Sequence, residues 1–271
     1  MVNTQEGVTM RYLMLQSSGR EAGNTTRALA MVETMLRAEA ESRGEPLEVE
    51  TLQLAQMDLR PCRGCRICFN NGETACPLKD DLLSIKTRMK AADGIVLAGP
   101  VYVHDVNGVM KNWIDRMAHV CHRPEFAGKS ALLVATTGGT SVKHAVRTME
   151  VALWTWGFRT VGRVGLVTGA NMRAEEMMRR HSAVILRGAR RLFQDVAQKK
   201  KLKPSFLSLM VFRIQQSGWG KSAPGSMDFA YWNDKGWLDT RSCSYFFPHK
   251  ASPIKVAAAR AAGAVTAAFI A

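Results

Sequence analysis

Two rhythms of apolar residues alternate along this chain up to about residue 200. RYLMLQ (residues 11–16), GIVLAGPVY (94–102) and SALLVATTGGT (130–140) are short and largely apolar, the pattern of strands buried on both faces. LEVETLQL (47–54) sets Leu47, Val49 and Leu52 among acidic and polar residues, and RTVGRVGLVTG (159–169) supplies a fifth strand. Between these runs apolar residues recur at helical spacing, as Leu29, Val32, Met35 and Leu36 do in TRALAMVETMLRAEAESRG. DDLLSIKTRMKAAD opens on two acids suited to a helix N-terminus. GVMKNWIDRMAHVC, SVKHAVRTMEVALWTWG and AEEMMRRHSAVILRGARRLFQDVAQKK continue the helical pattern. Strand and helix alternate five times, which predicts an α/β fold: a doubly wound, five-stranded parallel sheet with helices on both faces.

After residue 200 the alternation stops. FLSLMVF (206–212) is too short to cross a membrane, and VAAARAAGAVTAAFIA (256–271) carries Arg260 and lacks the bulk of a spanning segment, so packed helices and no membrane span are expected. The stretch between them, 218–247, is dense in Gly, Trp and Tyr and reads as irregular structure. Its Trp219, Trp232 and Trp237 suit either a cap over the active site or a subunit interface. The expected organisation is a disordered lead over 1–10, a main domain over 11–200 and a C-terminal helical and irregular extension over 201–271.

Net charge is +14 and lies unevenly: residues 1–172 hold 20 Lys+Arg against 17 Asp+Glu, and the remainder 17 against 6. The basic surplus reads first as a solvated face, and it would also suit an anionic small molecule such as NADPH. No zinc-finger, RNA-recognition or helix-turn-helix pattern is present, so nucleic acid is not expected as a partner. MVNTQEGVTM has neither a basic start nor an apolar core, which reads as cytoplasmic.

In a doubly wound sheet, ligands bind at the carboxyl ends of the strands, so the loops after strands one, three and four carry the chemistry. SSGREAGNTT offers Ser17, Ser18, Arg20, Asn24 and Thr25 just before a helix, a setting for a phosphate. Pro100, Val101, Tyr102 and Val103 form an apolar wall for a flat ring, with His104 beside them. Thr136, Thr137, Gly138 and Gly139 bring backbone to a ring edge without Cβ obstruction. Cradle, wall and edge together describe a flavin mononucleotide (FMN) site. There is no G-x-x-x-x-G-K-[ST] and no strand-linked G-x-G-x-x-G.

PCRGCRICFNNGETACPLKDD (61–81) places Cys62, Cys65, Cys68 and Cys76 in the spacing C-x2-C-x2-C-x7-C, followed by Pro77. Thiolates at these intervals suit one cuboidal [4Fe-4S] cluster, and Arg60, Arg63 and Arg66 would offset its negative charge. Structural zinc usually pairs two knuckles, yet zinc and a metal-free cysteine loop both stay open. His119, Cys121 and His122 form HVCH with no recognisable second half, and Cys243 reads as a packing or free thiol.

These motifs together resemble the flavodoxin-like NAD(P)H-dependent FMN reductases, and within them the iron-sulfur flavoproteins. Ser18, Arg20, Gly23, Asn24 and Thr25 match the family's S-x-R-x-x-G-N-T loop, although Ser17-Ser18-Gly19 departs from its usual Gly-Ser-Pro. The cysteine spacing, Asp80-Asp81 and GPVYVHDVNGVMKNWIDR also match, and the similarity covers residues 11 to about 170. The resemblance implies a flavodoxin-like fold, assembled as a homodimer or homotetramer with the flavin near an interface. It places the phosphate on Ser18, Arg20, Asn24 and Thr25, and the isoalloxazine against Pro100–Val103 and Thr137–Gly139. The expected activity carries electrons from NAD(P)H through FMN to a quinone-like molecule or a redox protein, by way of the cluster or directly. The alternatives are an electron-transfer flavoprotein without NAD(P)H activity and a zinc-stabilised nucleic-acid-binding module.

Overall fold

In the computed structural model, which describes residues 9–198 and 203–270, five parallel strands form the centre of the chain. They are β1 (Met10–Gln16), β2 (Leu47–Gln53), β3 (Gly94–Tyr102), β5 (Ser130–Thr137) and β6 (Arg159–Val167), in the order β2-β1-β3-β5-β6. A two-residue strand, β4 (Asp105–Val106), folds back antiparallel on the end of β3 and was not expected. The helices that follow the strands are α1 (Asn24–Glu41), the short α2 (Ile67–Asn70), α3 (Leu82–Ala91), α4 (Gly108–Arg116), α5 (Val142–Thr155) and α6 (Ala174–Gln198). The expected disordered lead falls largely on residues 1–8, outside the described residues, while Met10 already pairs with Leu47.

Period-two alternation decides which helix meets which face. Leu13, Leu15, Ile95, Leu97, Leu133 and Ala135 point to one side, where Ile85 and Met89 of α3, Trp113 of α4 and Met149 and Leu153 of α5 cover them. Tyr12, Met14, Val96, Ala98, Leu132 and Val134 point to the other, against Val32 and Leu36 of α1 and Ile185, Leu192 and Phe193 of α6. Because both faces are covered, all eight residues of β5 are buried. The edge strand β6 instead alternates buried Gly162, Val164 and Leu166 with exposed Arg163, Gly165 and Val167.

The C-terminal region is helical: α7 (Phe206–Gly220), α8 (Met227–Asp234) and α9 (Pro253–Ile270). Phe212, Trp232 and Trp237 are its buried centre, with Trp219, Tyr231 and Phe246 packed against them. The stretch expected to be irregular therefore contains α8, which Ser226 caps by accepting from the Phe229 N–H at 3.2 Å. Among the described residues no helix is long and apolar enough to cross a membrane.

Candidate functional site

The carboxyl ends of β1, β3, β5 and β6 open on a cleft of about 590 Å³. Ser18, Arg20, Gly23, Asn24 and Thr25 line it from the first loop, Pro100, Val101 and Tyr102 from β3, and Thr136, Thr137 and Gly138 from β5. Gly23 precedes α1 and supplies no side-chain cap, so the first N–H groups of that helix remain available to an anion. A Cβ at Gly23 would lie 3.1 Å from the Arg20 Cβ and 3.5 Å from the Ser18 hydroxyl, which explains the glycine. The loop is braced from three sides. The Gln53 amide donates to the Ser18 carbonyl at 3.0 Å, the Asn107 amide donates to the Ser17 carbonyl at 2.7 Å, and the Thr25 and Thr136 hydroxyls pair at 2.8 Å.

Three residues expected in the flavin site do not line the cleft. Ser17 is fully buried, its hydroxyl 2.6 Å from where a Gly99 Cβ would stand. Gly139 is not part of the lining and donates its N–H to the Thr137 hydroxyl at 3.3 Å. Val103 is 95% exposed at a two-residue turn between β3 and β4, where it (φ 45) and His104 (φ 68) both adopt left-handed backbone. The His104 ring meets the Ser141 hydroxyl, and His144 sits 3.4 Å from Asp105, so polar contacts hold this turn to α5. Asn24 lines the cleft, but its side chain serves another purpose. It donates to the Thr168 hydroxyl (2.8 Å) and Gly169 carbonyl (3.1 Å) and accepts from the Met172 N–H (2.9 Å). Thr168, Gly169 and Ala170 thereby join the lining, a fourth loop that the sequence reading missed. The signal was available, since VTGAN follows the fifth strand as the other loops follow theirs.

All four clustered cysteines line a second cavity, of about 720 Å³, together with Arg63, Arg66, Glu73, Arg116 and His119. Every one is a free thiol, Cys62 and Cys65 exposed and Cys68 and Cys76 half-buried. Burial pushes the Cys68 thiol above its ordinary value, and the neighbouring Cys76, Cys62 and Cys65 push it further, as expected of sulfurs facing one space. Gly64 (φ 65) and Arg66 (φ 61) take left-handed backbone and turn the chain around that space. Near this cavity, Glu73, His119 and Glu125 bring three ligand atoms within 4.8 Å of one another.

The segment entering the cysteine loop is fixed by buried charge. Asp80 and Arg116 have side chains 1% and 2% exposed, paired through both guanidinium Nη atoms, with Arg116 Nη2 to Asp80 Oδ1 at 3.0 Å. Arg116 also donates to the Arg60 carbonyl at 2.7 Å, and the Arg60 N–H donates to Asp80 at 3.1 Å. Burial pushes the Asp80 carboxyl up, but the Arg116 hydrogen bond and charge outweigh it and hold it below the usual carboxylate range. Asn112 accepts from the Cys62 N–H at 3.2 Å and donates to the Leu59 carbonyl at 3.0 Å. Behind the cavity, the Lys86 ammonium pairs with Glu73 and Glu125 and lies 3.2 Å from His119 Nε2. It stands where a cation would bind that triad. Burial and Lys86 push His119 down to about 3, leaving it neutral. The HVCH residues point apart: His119 to Lys86, Cys121 to the Thr155 hydroxyl at 3.2 Å, and His122 to Asp228 at 2.9 Å.

The residues present fit both groups that the motifs imply: an uncapped helix end and glycine approach for a flavin phosphate, and four convergent thiols for a soft metal centre. A family model described as NADPH-dependent FMN reductase matches residues 10–171. An iron-sulfur flavoprotein of Archaeoglobus fulgidus is 27% identical over 236 residues, 84% of this chain and all of that protein. An iron-sulfur flavoprotein of Methanocaldococcus jannaschii is 40% identical over 107 residues, 40% of this chain and 51% of that protein. Among solved structures, an oxidoreductase from Corynebacterium diphtheriae superposes with a TM-score of 0.52 at 21% identity, covering 70% of this chain and 99% of that one.

Proposed function

The chain belongs to the NADPH-dependent FMN reductase family and is an NAD(P)H-dependent flavin oxidoreductase; from that premise we propose that its two sites hold FMN and a [4Fe-4S] cluster, and that its acceptor is a quinone-like molecule or a redox protein. When bound, the flavin supplies hydride acceptance from the nicotinamide, and the cluster supplies one-electron transfer. Ser18, Arg20 and Thr25, with the first N–H groups of α1, bind the flavin phosphate. Pro100, Val101 and Tyr102 give the ring an apolar wall, and the backbone at Thr137 and Gly138 meets its edge. Asn24 keeps the first loop joined to the loop after β6. In the same reading residues 11–200 are the flavin domain and 201–271 its extension, in a cytoplasmic homodimer or homotetramer.

The observation that carries the cluster is that four free thiols in the spacing C-x2-C-x2-C-x7-C all line one cavity. The test is an absorption spectrum of anaerobically purified protein, with iron, sulfide and released flavin assayed after denaturation. The expected result is a flavin spectrum on a broad brown absorbance, bleached by NADPH or NADH. A clean flavin spectrum with no iron would remove the cluster. Flavin that no nicotinamide nucleotide reduces would leave only an electron-transfer flavoprotein.

A further inference from the structure

The C-terminal region reaches the cysteine loop by one continuous set of contacts. Arg123, its side chain 3% exposed, donates from Nη2 to the carbonyl of Cys68 at 2.6 Å. Its Nε lies 3.6 Å from Asp228 on α8, and Asp228 also binds His122 Nδ1 at 2.9 Å. The His122 ring has Phe69 of α2 4.6 Å on one side and Trp219 of α7 4.6 Å on another, centroid to centroid. The Trp232 indole N–H donates to the His122 carbonyl at 2.7 Å, and the Met227 methyl lies 3.2 Å from where a Gly72 Cβ would be. Helix α8 thus holds the segment from Cys68 to Gly72 at both ends. None of these residues lines the flavin cleft.

We propose that Asp228 is a positioning residue for the four-cysteine centre, acting through Arg123 on the Cys68 carbonyl, so that the C-terminal region fixes the third thiol ligand. This rests on the metal-binding reading of the cysteines. Arg123 is a buried cation whose Nη1 and Nε make no hydrogen bond. Asp228 is the carboxylate that balances it. Without that carboxylate the guanidinium is left with an uncompensated charge away from water, and its relief is to swing outward. The Cys68 carbonyl then loses its donor, and the half-buried thiol loses its fixed place among the other three.

The test uses the full chain carrying Asp228→Asn, with Asp228→Glu as the rescue and the exposed Asp234→Asn on the same helix as the control. In chelator-treated, metal-free protein, alkylation of each cysteine by iodoacetamide is followed by mass spectrometry. Asp228→Asn is expected to speed Cys68 alkylation on the order of tenfold, by favouring local opening of the segment. Cys121 and Cys243 should keep their rates. In anaerobically purified protein, iron per flavin should fall by more than half while flavin content stays unchanged, and Asp228→Glu should restore both readouts. Arg123→Lys, which keeps the charge and loses the planar fork, should release Cys68 in the same way. Unchanged Cys68 alkylation in Asp228→Asn would overturn the proposal. Equal acceleration at all six cysteines would also overturn it, as general loosening. Should the wild-type protein hold no iron, the cluster reading falls, and the alkylation rates still decide the role of Asp228.

Discussion

Asp80→Asn is the substitution whose cost follows most directly from the structure. The Asp80 carboxylate accepts from two Arg116 nitrogens and from the Arg60 and Leu82 N–H groups, and both charged side chains are almost fully buried. Asparagine keeps the shape and removes the charge, leaving the Arg116 cation unpaired. Breaking a buried pair from one side costs about 3–5 kcal/mol, a large share of the roughly 5–15 kcal/mol that stabilises an ordinary domain. In a chain of this size that corresponds to a fall in Tm on the order of 10 °C, read by calorimetry. Acid should act on the same pair. The Asp80 carboxyl is held below its usual range in the folded protein, so the unfolded chain takes up the proton first as pH falls. The pair's stabilisation is therefore present in full above the ordinary carboxylate value, near pH 4, and is lost as pH drops through the depressed one. The difference in Tm between Asp80→Asn and wild type should shrink below about pH 4. Replacing both partners, Asp80→Leu with Arg116→Leu, should recover most of the loss, because no buried charge remains. A loss under about 1 kcal/mol for Asp80→Asn at pH 7 would mean that water reaches Arg116 and that the pair is not the anchor argued above.

Three further outcomes are expected. Arg20→Ala should weaken FMN about 10- to 100-fold, the worth of a charge-assisted hydrogen bond, while leaving riboflavin affinity unchanged in a fluorescence titration. An equal loss for both ligands would place Arg20 away from the phosphate. Val103→Gly should raise stability by about 0.5–1 kcal/mol in urea unfolding, because a β-branched residue at φ 45 with its side chain in solvent carries strain that no packing offsets. A destabilised variant would show that the valine makes a contact the exposed turn conceals. Lys86→Met should cost about 3 kcal/mol or more at pH 7, since Glu73 and Glu125 lose their shared cation, and lowering the pH should recover part of it as the carboxylates protonate. No recovery by pH 5 would assign the loss to packing.

What the sequence disclosed follows from the range of each interaction. The central strands are legible because burial on two faces writes an unbroken apolar run, and the run 94–102 coincides with β3 at both ends. Helix α8 was not, since Met227–Asp234 has no apolar stripe of its own and is held by the Ser226 cap and by packing of Trp232 on Phe212 and Trp237. The turn at Val103 and His104 defied expectation because local propensity argues against left-handed valine, and tertiary contacts from α5 accompany it. At the site, loop membership was readable while side-chain direction was not. Ser17 and Ser18 are adjacent in a polar loop, yet the parity of β1 sends Ser17 inward beneath Gly99 and leaves Ser18 in the cleft. Asn24 fits a phosphate-loop pattern, but its amide donates to Thr168 and Gly169, more than 140 residues away and beyond any local reading.

One helix explains why motifs for two sites run together in this chain. Asn107 caps α4 through its side-chain oxygen, and its amide holds the Ser17 carbonyl at the floor of the flavin cleft. Five residues on, Asn112 holds the Cys62 N–H, and after four more Arg116 holds Asp80 and the Arg60 carbonyl at the mouth of the cysteine loop. At about 1.5 Å rise per residue, these braces span about 14 Å of rigid helix. The spacing of the two braced loops along that axis is then set by the number of residues between Asn107 and Arg116, not by the stretch 26–59 that joins them in sequence. Trp113, fully buried against Trp156 at 5.1 Å, keeps the helix from rotating. A residue inserted between Asn107 and Asn112 would turn the second set of braces by about 100° and separate the sites' geometry while leaving each set of ligands intact.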